Sequence, residues 1–405
     1  MVILIMAWRN IWRNKIRSMI IMSSVGVGLA AGLFVLSLYK GILDDRVRNV
    51  IDREVSHIQI HHPDFKEDYD ARFTIADPEK MVRNLLAIPA INTFALRTVS
   101  PGMLMTGSGS TSLQIVGVDP ENEDRVSQLS DKIDEGNAFT TEKKNQIVIG
   151  RKLAEKMRLR IGSKIVLTFI DPESNMISAA FRVVAIYKTD NAPLDEKVAY
   201  VRRSDLNTLL SIGNAFHEVA ILLNHDEQVP DVIAAIGQKN GGNLIEAWSD
   251  ISAETKLMID TTDSYSNIFI MIIMLALSFG IVNTMLMAVL ERSKEIGMLL
   301  AIGMNRLKVF MMILTETLFL TISSTPPGVL LTWILVRIYQ SRGINISSIG
   351  GETMSEFGFS SMIYPAFPWD KMPGEMIIVI SAALLSSLIP AFKAIRLRPV
   401  EALQK

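Results

Sequence analysis

The sequence predicts an α-helical membrane domain of four transmembrane helices, with a large extracytoplasmic mixed α/β domain between helices 1 and 2. Three observations carry this. Four runs, residues 19–38, 268–290, 309–336 and 376–392, are apolar, and a bilayer span needs roughly 20 such residues. Basic residues gather at particular ends of those runs. The stretch between the first two runs, roughly 220 residues, is long enough for one or two folded domains of its own.

The first run follows Arg9, Arg13, Lys15 and Arg17, with no acid among them. It is longer than the apolar core of a signal peptide and ends without an Ala-x-Ala site, so it reads as a retained anchor. Arg292, Lys294, Arg306 and Lys308 lie between runs two and three, and Lys393, Arg396, Arg398 and Lys405 follow run four. The loop 340–375 instead carries an acidic excess. By the positive-inside rule both termini and the 291–308 loop are cytoplasmic, which makes the chain a multi-pass membrane protein. The expected organisation is an amphipathic interfacial helix over 1–18, a first span over 19–43, an external α/β domain over 44–267 and a helical domain over 268–405.

Trp8 and Trp12, and Arg9, Arg13 and Arg17, recur at i, i+4, which puts an aromatic and a basic stripe side by side on a helix at the headgroup layer. Gly26, Gly28 and Gly32 provide small residues for close helix approach. In the external stretch, alternation predicts a strand over 55–61 and Asp77-Pro78 opens a helix through Leu86. A strand over 93–99 follows. The same order returns as a strand over 218–223, a helix from Val229 and a strand over 243–248. This is a split pair of β-α-β units around an insert at about 119–210, with strands at 164–170, 179–187 and 198–202. Pro326-Pro327-Gly328 is expected to kink or break the third span.

The composition narrows function. A net charge of −1 argues against nucleic acid as the main ligand. There are no cysteines, so disulfides, thiolate metal sites and a thiol nucleophile are excluded. No Gly-x4-Gly-Lys-Ser/Thr occurs, so these residues hold no P-loop ATPase, and no catalytic constellation or cofactor motif stands out. His57 and His61, four apart on a strand, stand roughly 13 Å apart at ~3.3 Å per residue, too far to share one metal ion. Glu316 is an acid inside a span, near its cytoplasmic end, where a contact between helices suits it.

The distinctive segment is Glu291-Arg-Ser-Lys-Glu-Ile-Gly-Met-Leu-Leu-Ala-Ile-Gly303. Ile296, Leu299, Leu300 and Gly303 fall near one helical face, and Glu291, Arg292, Lys294 and Glu295 cluster at its start. An apolar stripe on a short loop must be covered by protein or headgroups.

This segment resembles the cytoplasmic coupling segment of FtsX/MacB-type ABC transporter permeases. The ending Ile389-Pro-Ala-Phe-Lys-Ala-Ile-Arg-Leu-Arg-Pro-Val-Glu-Ala-Leu403 and the opening Ala7-Trp-Arg-Asn-Ile-Trp-Arg-Asn-Lys-Ile-Arg17 are similar to the same family. Leu113-Gln-Ile-Val-Gly-Val-Asp-Pro120, Gly150-Arg-Lys-Leu-Ala154 and Ile161-Gly-Ser-Lys-Ile-Val166 resemble its lipoprotein-releasing LolC/LolE branch. The resemblance implies a MacB-like periplasmic domain and a non-catalytic permease subunit of the mechanotransmission type. It implies a separate cytoplasmic ABC ATPase docked through Glu291, Arg292, Glu295, Ile296, Gly297, Leu300 and Gly303. It also implies a second permease chain, in a homo- or heterodimer, and a periplasmic lipoprotein carrier. Drug or peptide export, as in MacB, and control of cell-wall hydrolases, as in FtsX, are the alternatives.

Overall fold

The computed structural model describes residues 2–13, 15–139, 143–238 and 241–396. The chain divides into two compact units: Met1–Leu43, Asp260–Ile344 and Ile363–Lys405 form the helical unit, and Asp44–Ile259 with Asn345–Met362 form the α/β unit. The expectation counted 345–362 with the helical domain. The structure groups it with the α/β unit, where Arg46 Nη1 donates to Gly358 O at 3.4 Å.

Among the described residues four helices are long and apolar enough to cross a membrane: Lys15–Asn49, Ala253–Glu291, Arg306–Arg342 and Met372–Ile395. The first three run well beyond their apolar runs. At 1.5 Å per residue the 35 residues of the first make a rod of about 52 Å, against a hydrocarbon core of about 30 Å. Hydropathy marks where the lipid ends, whereas backbone hydrogen bonding continues through the polar residues beyond. The helix Arg306–Arg342 stays unbroken through Pro326 and Pro327, so the expected break is absent. There the helix is crowded by its neighbour: a Cβ on Gly328 would lie 2.7 Å from Gly26 O.

In the α/β unit β1 (Ile58–His61), β9 (Glu218–Leu223), β10 (Leu244–Ala247) and the first half of β2 (Ile91–Thr106) form a sheet in the order β10-β1-β9-β2, every neighbour antiparallel. The helices Pro78–Leu86 and Val229–Gly237 cover one face, burying Met81, Leu85, Val232 and Ile236 against Ile58, Ile60, Val219 and Ile221. This is the ferredoxin-like order of two β-α-β units. The alternation read over 55–61 enters the sheet only at Ile58. Ser56, at φ +67°, turns the chain out of the preceding π-helical segment Val50–Val55, so His57 lies before the strand.

The insert closes on itself. The second half of β2 pairs with β3 (Gly109–Val118), β3 with β8 (Val198–Arg202), β8 with β5 (Gln146–Gly150), β5 with β7 (Met176–Tyr187), β7 with β6 (Lys164–Ile170), and β6 returns to β2. β4 (Ile133–Gly136) flanks β7. Leu104, Leu113, Ile115, Ile147, Ile149, Ile165, Leu167, Phe169, Phe181 and Val201 fill the ring. The insert therefore begins at about Thr98, not at 119, because one 16-residue strand serves both layers, pairing with β9 up to Arg97 and with β3 from Thr98.

On the sheet face away from those two helices, Arg97 of β2 bridges Glu123 of the helix Pro120–Ser127 and Glu218 of β9. Its Nε and Nη2 donate to both Glu123 oxygens at 3.0 and 2.7 Å, and Nη1 donates to Glu218 at 3.0 Å. The Glu123 side chain is 0% exposed and that of Arg97 7%. Burial alone would push Glu123 up and Arg97 down. The mutual attraction overrides it, holding Glu123 below and Arg97 above their ordinary values. Arg97→Leu strands a buried carboxylate and should destabilise the α/β unit by about 3–5 kcal/mol at neutral pH, read by denaturant unfolding. Because the folded carboxyl is depressed, Glu123's contribution is full above its unfolded value and lost as pH falls through the lower folded one. The penalty of Arg97→Leu should therefore shrink in acid; a cost that stays flat from pH 7 to pH 3 would contradict the assignment.

Candidate functional site

The helix Val2–Arg13 buries Ala7 and Ile11, one i, i+4 stripe, and packs along Arg306–Arg342. Trp8, Arg9 and Trp12 are exposed beside that stripe. Trp8 meets Phe319 edge-on at 5.6 Å between ring centroids and Trp12 at 6.0 Å. Ser18 Oγ donates to Ile11 O at 2.6 Å, bracing the turn into the first span. Arg17 is helical, and its side chain lies outside the described residues, as does the end of the closing motif, 397–403.

The segment after the second span folds as the helix Ser293–Ala301. Its termination is encoded by Gly303, which adopts φ +98°. Gly303 N–H donates to Leu300 O at 3.1 Å and Met304 N–H to Leu299 O at 3.0 Å, the two bonds of a Schellman motif. One residue on, Asn305 Oδ1 accepts from Leu307 N–H at 3.0 Å and caps the next helix. Gly303 is thus a stop signal and not part of a helical face, correcting its assignment to the apolar stripe.

Two of the segment's charges, Arg292 and Glu295, are joined within the chain. Arg13 Nη2 donates to both oxygens of Glu295. Arg292 Nε donates to Glu295 at 3.3 Å, and its Nη1 donates to both oxygens of Glu316 at 3.1 and 3.2 Å. The side chains of Arg292 and Glu316 are 11% and 8% exposed. The Arg13 guanidinium holds the Glu295 carboxyl below its ordinary range. This chain of four charges ties three helices together around a cavity of about 300 Å³ whose other walls include Met6, Asn10, Val289 and Leu299. Periodicity could not reveal the network, because Arg13 and Glu295 lie far apart in sequence, whereas Glu316 does make the contact between helices that its position suits.

Ile296 and Gly297 are buried, and Ile296 and Leu300 pack with Val309 and Ile313. These stripe residues face inward and hold the segment in place. Facing outward are Glu291, Lys294, Met298, Ile302 and Leu307, with Met298 50% and Ile302 79% exposed. Sequence reasoning missed this ridge because the inward and outward faces are both apolar. The span glycines divide between neighbours. A Cβ on Gly28 or Gly32 would meet Leu277 or Ile273 of the second span, whereas one on Gly26 would lie 3.2 Å from Ser324 O of the third.

Nothing lies within 4 Å of a Cβ placed on Gly303, so substitution there carries a conformational cost alone. Gly303→Ala should cost about 1–2 kcal/mol and Gly303→Asn distinctly less, because Asn tolerates left-handed backbone. Thermal unfolding of the purified chain measures both; equal stability of all three would contradict the stop-signal role.

Residues 18–239 match the MacB-like periplasmic core domain, and residues 267–399 match the FtsX-like permease C-terminal domain. Over 97% of its length the chain is 22% identical to the lipoprotein-releasing system transmembrane protein LolC of Xylella fastidiosa, covering 95% of that protein. It is 23% identical over 98% of both chains to YvrN of Bacillus subtilis, an uncharacterised ABC transporter permease. To the macrolide export ATP-binding/permease protein MacB of Sodalis glossinidius it is 22% identical over 98% of this chain and 60% of that one. With four apolar helices and an α/β unit between the first two, the chain belongs to the FtsX/MacB-type ABC transporter permeases, as a multi-pass, non-catalytic transmembrane subunit.

Proposed function

We propose that this permease couples a cytoplasmic ABC ATPase to an α/β unit in the periplasm, and that its cargo is lipid-anchored protein released from the inner membrane toward a periplasmic carrier. The observation that carries the coupling half is the two-sided segment 291–308. Its ion chain and Ile296 fix it to the spans, while Lys294, Met298, Ile302 and Leu307 stand outward on one ridge. An apolar ridge rimmed by charge suits a protein partner. On this reading the ATPase meets Met298 and Ile302, and Glu291, Arg292, Glu295, Ile296, Gly297, Leu300 and Gly303 shape the segment behind them. Both termini lie on the ATPase side. A second permease chain completes the transporter, and motion of the spans reaches the α/β unit.

The cargo half rests on the likeness to LolC along nearly the whole chain and on spans whose lipid-facing sides are apolar, suited to acyl chains and not to a hydrated solute. Export of amphiphilic drugs or peptides is the second reading, favoured by the equal identity to MacB. Regulation of cell-wall hydrolases is a third.

Coupling is tested on the purified complex. Met298→Glu and Ile302→Glu should abolish substrate-stimulated ATP hydrolysis while membrane insertion is normal. Glu295→Lys should act differently, by releasing the helix Val2–Arg13 and lowering thermal stability. Unchanged stimulation in both ridge variants would remove the ridge from the interface.

Cargo is tested in cells. Depletion of the chain should leave lipoproteins in the inner membrane, and Ser130→Cys should react with an impermeant maleimide before lysis. Normal lipoprotein sorting with raised sensitivity to amphiphiles would favour export instead; labelling only after lysis would overturn the orientation.

A further inference from the structure

Where the first span leaves the interfacial helix, an open groove of about 760 Å³ runs between the first and second spans, lined by Arg13, Lys15, Ile16 and Ile20 on one side and Thr284, Met287 and Glu291 on the other. Its floor and flanks are apolar and turned outward: Ile16 is 78%, Ile20 55% and Met287 58% exposed. Its charged residues, Arg13 and Lys15 with Glu291 on the other wall, lie beyond the apolar runs 19–38 and 268–290, so cations exceed acids there. Arg13 gives Nη2 to Glu295, and a guanidinium fork carries five N–H groups, so the same side chain has donors left for a second anion. Lys15 adds a compact ammonium two residues on.

We propose that this groove holds one glycerophospholipid of the adjoining leaflet, its phosphate on Arg13 and Lys15 and one acyl chain along Ile16, Ile20 and Met287. Charge complementarity names the occupant. The cations stand where a span meets the headgroup layer, which is where a phosphodiester lies, and the greasy stretch leads from them into the hydrocarbon. A polar peptide would leave the isoleucines uncovered, and a purely apolar partner would leave the Lys15 ammonium without a counter-charge. The inference needs only that these spans cross a membrane. It does not depend on the cargo or on the ATPase ridge.

Native mass spectrometry of the full-length chain in mild detergent tests it, with dioleoyl phosphatidylglycerol as the probe. Dioleoylglycerol, which has the same tails without phosphate, and inorganic phosphate serve as the two competitors. Wild-type chain should retain bound phosphatidylglycerol against both. Lys15→Gln should weaken retention about fivefold, the loss of one cation at a lipid surface. Ile20→Trp, which fills the groove, should abolish it, with thermal unfolding unchanged in both variants. Equal retention in both variants would overturn the proposal. Displacement by dioleoylglycerol would reduce the groove to ordinary lipid contact, and displacement by inorganic phosphate would reduce it to an anion site without lipid. If Ile20→Trp instead changes the oligomeric mass and leaves lipid retention intact, the groove is a face for a second copy and the lipid assignment is wrong. Glutamine at 15 and tryptophan at 20 act on different walls, so misfolding of one variant leaves the other as the test.

Discussion

The arrangement of the helical unit around the segment 291–308 depends on one desolvated ion pair, Arg292 with Glu316. Two charges this deeply buried cost several kcal/mol each to remove from water and are tolerated only in good geometry with further hydrogen bonds. Both conditions are met: Nη1 reaches both carboxylate oxygens of Glu316, and Nε turns the other way to Glu295. The planar fork of arginine does what a lysine could not, since it reads two carboxylates in fixed directions. With Arg292 pinned to the third span, the helix that begins at Ser293 can leave in one direction only. Glu295, on the first turn of that helix, then falls within reach of Arg13, and the amphipathic helix at the other end of the sequence is captured as well.

The segment between the second and third spans therefore works as a fixed bracket and not as a loop. One face carries charge and Ile296 inward; the other carries Met298 and Ile302 outward. Gly303 and Asn305 close it within three residues, one ending its helix and the other capping the start of the next. The bracket's outer ridge is thereby joined to the third span through Arg292 and to the interfacial helix through Glu295.

Much of this was legible in the sequence, and what was not has a common cause. The spans, the split β-α-β order and strands such as 164–170 and 218–223 follow from hydropathy and short-range alternation, which are local properties. The position of the segment 291–308 and its apolar content were equally legible. Which of its two apolar faces points inward was not, because that is decided by Val309, Ile313 and Arg13 from other helices. The closure of the insert into a ring was hidden for the same reason: it rests on β6 returning to β2 across some 60 residues, with only Pro101-Gly102 marking the bend. Helical spacing puts Gly303 on the apolar face, whereas its positive φ is what matters.

The double use of β2 sets the order in which the α/β unit can be completed as it emerges from synthesis. Every strand of the ring is available once β8 has been made, so the barrel can close on its own. The ferredoxin-like sheet cannot, since β1 and the first half of β2 pair with β9 and β10, which lie beyond the whole insert. Until those strands arrive, β1 and half of β2 present unpaired edges, the kind of surface that invites mispairing. Completion of the sheet thus waits for Leu244–Ala247, the last strand before the second span.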